Sequence, residues 1–143
     1  MELVFDIETN GLLWESALKD YETGEVTNLP PASIIWCIVA IDETDKVYTF
    51  KPESIDEGIE FLKSADTLVG HNILGFDIPA IDRIKQIDLS THVNIIDTLT
   101  LSRLLHPTRE GGHSLEKWGW KLNCPKSTAP MFTEYSNEML DYC

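Results

Sequence analysis

Asp6 and Glu8 stand two residues apart in LVFDIETNGLL, within an apolar run of Leu3, Val4, Phe5 and Ile7. The run reads as a buried strand, and residues two apart on a strand point to one face. The two carboxylates therefore lie side by side, about 6–7 Å apart along the backbone. Held that close beside apolar neighbours, they repel each other and lose hydration, so a cation or a proton must offset the cost. A third carboxylate, Asp77, ends HNILGFD two residues before Pro79, at a loop-to-helix junction. If it reaches over the end of the first strand, the set is three oxygen donors with no Cys or His. That set suits Mg²⁺ or Mn²⁺ rather than zinc. Two such cations about 3.5–4 Å apart support in-line phosphoryl chemistry, one activating water and the other stabilising the leaving oxygen. Each residue also has a plainer role. A D-x-E pair fits a solvated strand end, and an Asp at a helix start commonly caps it.

The elements that must position these residues follow from periodicity and turn signals. After the first strand comes a polar segment, Asn10 to Pro31, long for a connection between strands. SIIWCIVAID (Ser33–Asp42) reads as a strand, Glu43-Thr44-Asp45 as a turn and KVYTF as its return, a β-hairpin. Ile55, Ile59 and Leu62 fall at helical spacing, with Ser54 as N-cap and Glu57 three residues on. TLVG is a short buried strand and HNILGFD a loop. Pro79 lies in the first turn of the next helix. VNIIDT is a strand leading into helical LTLSRLL; HPTREGG is a loop, HSLEKWGWKL a helix, and SNEMLDYC the start of a last helix. A hairpin followed by strands with crossover helices describes an α/β fold with a mixed central sheet flanked by helices. Chemistry in such sheets gathers at strand ends, where Asp6 and Glu8 fall.

At 143 residues and 43% apolar content the chain reads as one domain with a sizeable core. Its net charge of −13 argues against non-specific nucleic-acid binding through a broad basic surface. A polyanionic partner must be met through metal ions or local basic residues. No stretch has the apolar length of a membrane span, and MELVFDIE lacks the basic start of a signal peptide. Cys37, Cys124 and Cys143 form no CxxC and read as reduced thiols of a cytosolic protein. Asp97, at a strand-to-helix switch, reads as a cap. His106 and His113 flank a Gly-rich loop without a Cys at zinc spacing. Trp118 and Trp120 read as packing residues. Arg103, Arg109, Lys117 and Lys121 fit either phosphate contacts or a solvated face.

DIET, HNILGFD, IDTLTLSRLLHP, HSLEKWG and EMLDYC, in that order, resemble the proofreading 3′–5′ exonuclease domain of phage-type family A DNA polymerases. This is the DnaQ-like DEDD group with its RNase H-like three-layer fold. The likeness covers nearly the whole chain. It implies that Asp6 and Glu8 are metal ligands, with Asp6 bridging two Mg²⁺ or Mn²⁺ ions, and that Asp77 serves the second metal. It implies that Thr9 and Leu12 pack against the terminal nucleotide, Leu12 wedging near the last base. Asn72, with His71 beside it, would position the strand, and Tyr142 would orient the attacking water. The implied substrate is a single-stranded 3′ end of DNA. The implied partner is a polymerase domain, in cis or as a separate subunit, in the cytoplasm of a bacterial host if the chain is phage-encoded.

The chain departs from the family in the longer segment between LLWE and SIIWC, and in its third motif, Tyr-x-x-x-Asp. The Asp of that motif falls at position 146, so the expectation is an exonuclease domain over residues 1–143 that stops inside its last motif-bearing helix, with weak or no activity. Two other readings stand beside it. One is a catalytically incomplete module that binds metal, DNA or a polymerase; the other is a DnaQ-like exoribonuclease.

Overall fold

The computed structural model describes residues 1–143, the side chain of Leu18 excepted. Strand β1 (Glu2–Thr9) forms because alternate residues Leu3, Phe5 and Ile7 bury one apolar face. It lies at the centre of a five-stranded sheet. Strands β4 (Ile35–Asp42) and β5 (Val47–Phe50) add antiparallel on one side, and β6 (Thr67–Gly70) and β7 (Asn94–Asp97) parallel on the other, in the order β5-β4-β1-β6-β7. The expected mixed sheet with an antiparallel hairpin is what forms.

Between the parallel strands run helices α1 (Ile55–Lys63) and α2 (Asp77–Lys85). Ile55, Ile59 and Leu62 of α1 and Ile78 and Ile81 of α2 join Phe5, Ile7, Ile38 and Leu68 in one core. Gly58 lets α1 approach the sheet: a Cβ there would stand 2.7 Å from the Phe50 ring and 3.0 Å from Ile38. Helix α3 (Thr98–Leu105) follows β7, and α4 (Leu115–Lys121) and α5 (Glu138–Tyr142) complete the order. α5 packs against β4 through Met139, which is fully buried. No helix of the described residues is long and apolar enough to cross a membrane.

The long polar segment is a second, two-stranded hairpin, β2 (Ser16–Lys19) with β3 (Val26–Leu29). It closes through Asp20, whose side chain accepts from the N–H groups of Glu22 and Thr23. One local expectation fails. Ser54 precedes α1, but its hydroxyl does not cap the helix. A 3₁₀ turn over Pro52–Ser54 comes first, and the Ser54 hydroxyl accepts from the Lys51 N–H at 3.0 Å, closing that turn instead. Trp120 is also not a packing residue, being 65% exposed. Trp118 does pack, donating its indole N–H to Ser102 at 2.8 Å beneath the guanidinium of Arg109. Arg109 itself donates to the carbonyls of Gly112 and Lys117, so it braces its own loop.

Candidate metal centre

Antiparallel pairing sets Asp6 opposite Val39 and Glu8 opposite Cys37, so these four share the sheet face away from α1 and α2. On that face the end of α5 descends. Oxygen atoms of Asp6 and Glu8 and the Cys143 sulfur all lie within 4.8 Å of one another. Cys37, burial and the charge of Asp6 push the Cys143 thiol up.

Asp77 arrives from the other side of β1. The pairing of β6 with β1 covers Glu2–Val4 only. Beyond it the Ile7 N–H, which no longer meets a strand, donates to Asp77 Oδ1 at 3.1 Å. Asp77 is the first residue of α2, and its carboxylate does not cap that helix. It stands within the influence of the Asp6 charge instead, and it is buried, with 3% of its surface exposed.

The loop that carries Asp77 is tied down by Asp97. The Asp97 side chain accepts from Leu99 and Thr100 at 2.9 and 3.3 Å, the expected cap of α3. It also accepts from the N–H groups of Asn72 and Leu74, both at 3.0 Å. Burial opposes its charge, but the N–H groups of Leu74, Asn72, Thr100 and Leu99 prevail and hold its carboxyl below the usual range. Four donors on one buried carboxylate make it a staple between loop and helix. Asp97→Ala is expected to cost about 2 kcal/mol or more in urea unfolding, since a lost cap alone costs about 1 and charged hydrogen bonds are stronger than neutral ones. Asp97→Asn should recover part of that.

The remaining expected residues lie on the neighbouring turns, loops and helix end. Asn72 takes a left-handed turn, φ 65°, which Asn tolerates better than most side chains. His71 places Nδ1 2.9 Å from the Thr98 hydroxyl, while its Nε2 is buried without a partner. Burial and the nearby Arg103 and Lys126 outweigh the opposing groups and lower the His71 pKa. Thr9 is buried and its hydroxyl donates to the Gly11 carbonyl at 2.7 Å, so that hydroxyl is engaged within the turn. The turn presents Leu12 at 46% exposure, with the Leu12 carbonyl held by Ala32 N–H. Asn10 anchors the same turn by accepting from Ser33 and Ile34. Tyr142 stands next to Cys143 at the end of α5, edge-on to Phe132 at 5.9 Å. His106 and His113 do not join a metal-ligating cluster among the described residues. His113 pairs with the Ser102 hydroxyl at 2.7 Å.

Two residues of the centre escape sequence reasoning. Cys143 carries no local signal. Lys126, in the irregular LNCPKSTAP stretch, sets its ammonium 4.2 Å from the Tyr142 ring centroid, where its charge reaches Asp6 and Glu8. Lys126 supplies part of the positive charge that the crowded carboxylates demand. Burial raises the pKa of Asp6, and Asp77 and the charge of Lys126 only partly counter that. Burial and then Asp6 push Glu8 up to about 8. Burial and the Asp6 charge raise Asp77 well above the carboxylate range. Burial thus favours the neutral form of all three carboxyl groups; oxygen atoms of Asp6 and Glu8 stand within 4.8 Å of each other and of the Cys143 sulfur, and Asp77 lies outside that cluster.

No family model matches the chain. In sequence it is 27% identical over 148 residues to the DNA-directed DNA polymerase of Enterobacteria phage T3. It is 28% identical over 147 residues to that of Escherichia phage T7. Each match spans 84% of this chain but 19% of the polymerase, so the chain covers about a fifth of the length of these relatives. Among solved structures, exonuclease X in complex with 5′ overhanging duplex DNA superposes with a TM-score of 0.51 at 17% identity. That match covers 91% of this chain and 78% of the exonuclease. The sheet is thus of the RNase H-like kind, and in motif order, sequence and fold the chain resembles a DnaQ-like exonuclease domain of phage-type DNA polymerases.

Proposed function

We propose that the chain is the proofreading 3′–5′ exonuclease module of a DNA polymerase and removes the terminal nucleotide of a frayed 3′ end. The observation that carries this reading is the pairing of Asp6 with Glu8 at the C-terminal half of the central strand, with buried Asp77 bonded to the same strand at Ile7 N–H. Their hard oxygen donors fit Mg²⁺ or Mn²⁺. Bound there, two such ions supply charge neutralisation at the scissile phosphate and activation of the attacking water. Asp6, beside Glu8, would hold the ions together with Glu8 and Asp77.

The other residues bind and orient. Leu12, held out by the Asn10–Ala32 stitching, is the apolar wedge against the last base. Thr9 shapes that turn. Asn72, with His71 beside it on the loop fixed by Asp97, would position the strand, and Tyr142 would orient water. Water attacks phosphorus in line, the 3′ oxygen of the penultimate nucleotide leaves with a proton, and a nucleoside 5′-monophosphate departs. Single-stranded ends are preferred because the terminal bases must splay apart. With a net charge of −13, contact with DNA is local to this site and does not spread over a basic face.

The end of α5 brings the Cys143 thiol within 4.8 Å of Asp6 and Glu8. A carboxylate four residues beyond Tyr142 would add an anionic donor to this centre and speed cleavage. The test follows a 5′-labelled single-stranded DNA with Mn²⁺ or with chelator. It compares the 143-residue chain, an extension with Asp at position 146, and the same extension with Asn there. The Asp extension is expected to shorten DNA one nucleotide at a time from the 3′ end, at least about 10-fold faster than the other two, since small displacements at a catalytic centre cost on the order of 100-fold. No metal-dependent cleavage by the Asp extension would overturn the reading. Cleavage of RNA but not DNA would replace it with the exoribonuclease.

A further inference from the structure

We infer that Lys126 is a phosphate-binding residue, its ammonium set to hold the terminal phosphodiester of a single strand whose 3′ end lies over Asp6 and Glu8. The inference rests on the exonuclease reading and adds the cation that receives the substrate.

The fold delivers Lys126 by a defined path. Helix α4 ends at Lys121, and Asn123 takes a left-handed conformation, φ 57°, that turns the backbone back along the helix. The Cys124 N–H then donates to the Gly119 carbonyl at 2.8 Å. Gly119 lets the returning stretch come this close: a Cβ there would stand 2.5 Å from the Cys124 carbonyl oxygen and 3.6 Å from the Lys126 backbone nitrogen. From this stretch the Lys126 ammonium reaches to 4.2 Å from the centroid of the Tyr142 ring. The residue after Tyr142 is Cys143, whose sulfur lies within 4.8 Å of oxygens of Asp6 and Glu8. The ammonium therefore stands beside that carboxylate pair, and its charge reaches both.

Among the described residues this charge has no carboxylate of its own within ion-pair distance. The ion pairs join Met1 to Asp66, Lys63 to Glu60 and Lys85 to Asp56. The Lys126 residue is also exposed. A cation held at an acidic centre, open to solvent and without an ion-pair partner, suits an anion that arrives from outside. A phosphodiester has that need. It carries a negative charge, and it must approach two carboxylates on a chain of net charge −13. Lysine meets phosphate as a point charge on a flexible stem, so it holds the backbone without reading the base.

The test measures binding of a 5′-fluorescein-labelled oligothymidylate to the 143-residue chain by anisotropy, with Ca²⁺ present, across a series of salt concentrations. Lys126→Ala is expected to weaken binding about 10-fold, the worth of one charged hydrogen bond. It should also lower the salt slope by about 0.7–1, the share of one phosphate contact. Lys126→Arg should recover most of both. An uncharged methylphosphonate in place of the terminal phosphodiester should cost the wild-type chain the same factor and cost Lys126→Ala nothing further. Unchanged affinity and salt slope in Lys126→Ala, or a methylphosphonate penalty just as large in that variant, overturns the inference. If the wild-type chain still binds an open strand more tightly than a circular one, the exonuclease reading survives that failure. If it binds no DNA, or binds circles as well as open ends, both fall.

Discussion

Asp77→Asn is expected to stabilise the metal-free protein by about 1–3 kcal/mol and to lower 3′-end cleavage on the order of 100-fold or more. The two effects share one cause. Asp77 is buried, feels the charge of Asp6, and accepts from the Ile7 N–H. Near neutral pH that pair must keep a proton or bury an uncompensated charge, and a buried unsatisfied group costs about 1–3 kcal/mol. An Asn keeps the geometry: its carbonyl accepts from Ile7, and the charge is gone. Melting should rise by several degrees, since about 1 kcal/mol moves a chain of this size by roughly 2–4 °C. The same exchange removes an anionic ligand, so the rise in melting temperature with Mn²⁺ should shrink and catalysis should fall with it. Calorimetry with and without Mn²⁺, paired with the oligonucleotide assay, reads both. An Asp77→Asn protein that melts lower without metal, yet folds to the same circular dichroism, would contradict the electrostatic account.

Stability of the metal-free protein should fall as pH rises from about 5.5 to 9, and divalent cation should flatten that fall. Glu8 carries the effect, its carboxyl pushed from 4.5 up to about 8 by burial and by Asp6. A raised folded-state pKa means the native state holds a proton that the unfolded chain has released. The stabilisation is complete below the unfolded value and is lost as pH climbs through the folded one. A tenfold change in proton affinity corresponds to about 1.4 kcal/mol. Because Glu8 keeps some contact with solvent and salt, about 2–3 kcal/mol is expected across the window. Asp6 and Asp77, raised by burial, act in the same direction. Glu8→Gln should remove much of the slope. Mn²⁺ replaces the protons, so its thermal shift should be larger at pH 8.5 than at pH 6. Equal shifts at both values, or a slope untouched by Glu8→Gln, would show that these carboxyl groups are not the ones that titrate.

The sequence alone determined what is local. Period-two burial placed Leu3, Phe5 and Ile7 in the core and therefore Asp6 and Glu8 together on the opposite face, because side chains on a strand alternate whatever the neighbours are. The β4–β5 hairpin, the helical spacing of α1 and the cap at Asp97 were legible for the same reason: each is decided within a few residues. Tertiary structure decided the rest. Ser54 has the right type for a cap, yet a 3₁₀ turn behind it claims the hydroxyl. Asp97 reads as a cap, and only the parallel pairing of β6 with β7, Gly70 opposite Asp97, shows that it also grips the loop leading to Asp77. Cys143 and Lys126 meet Asp6 from more than a hundred residues away, carried there by α5 and an irregular stretch that no periodicity describes. Alternation states which face a side chain takes; which distant group shares that face is set by how helices and loops close over the sheet, and so the counter-charge and the thiol of this centre exist only in three dimensions.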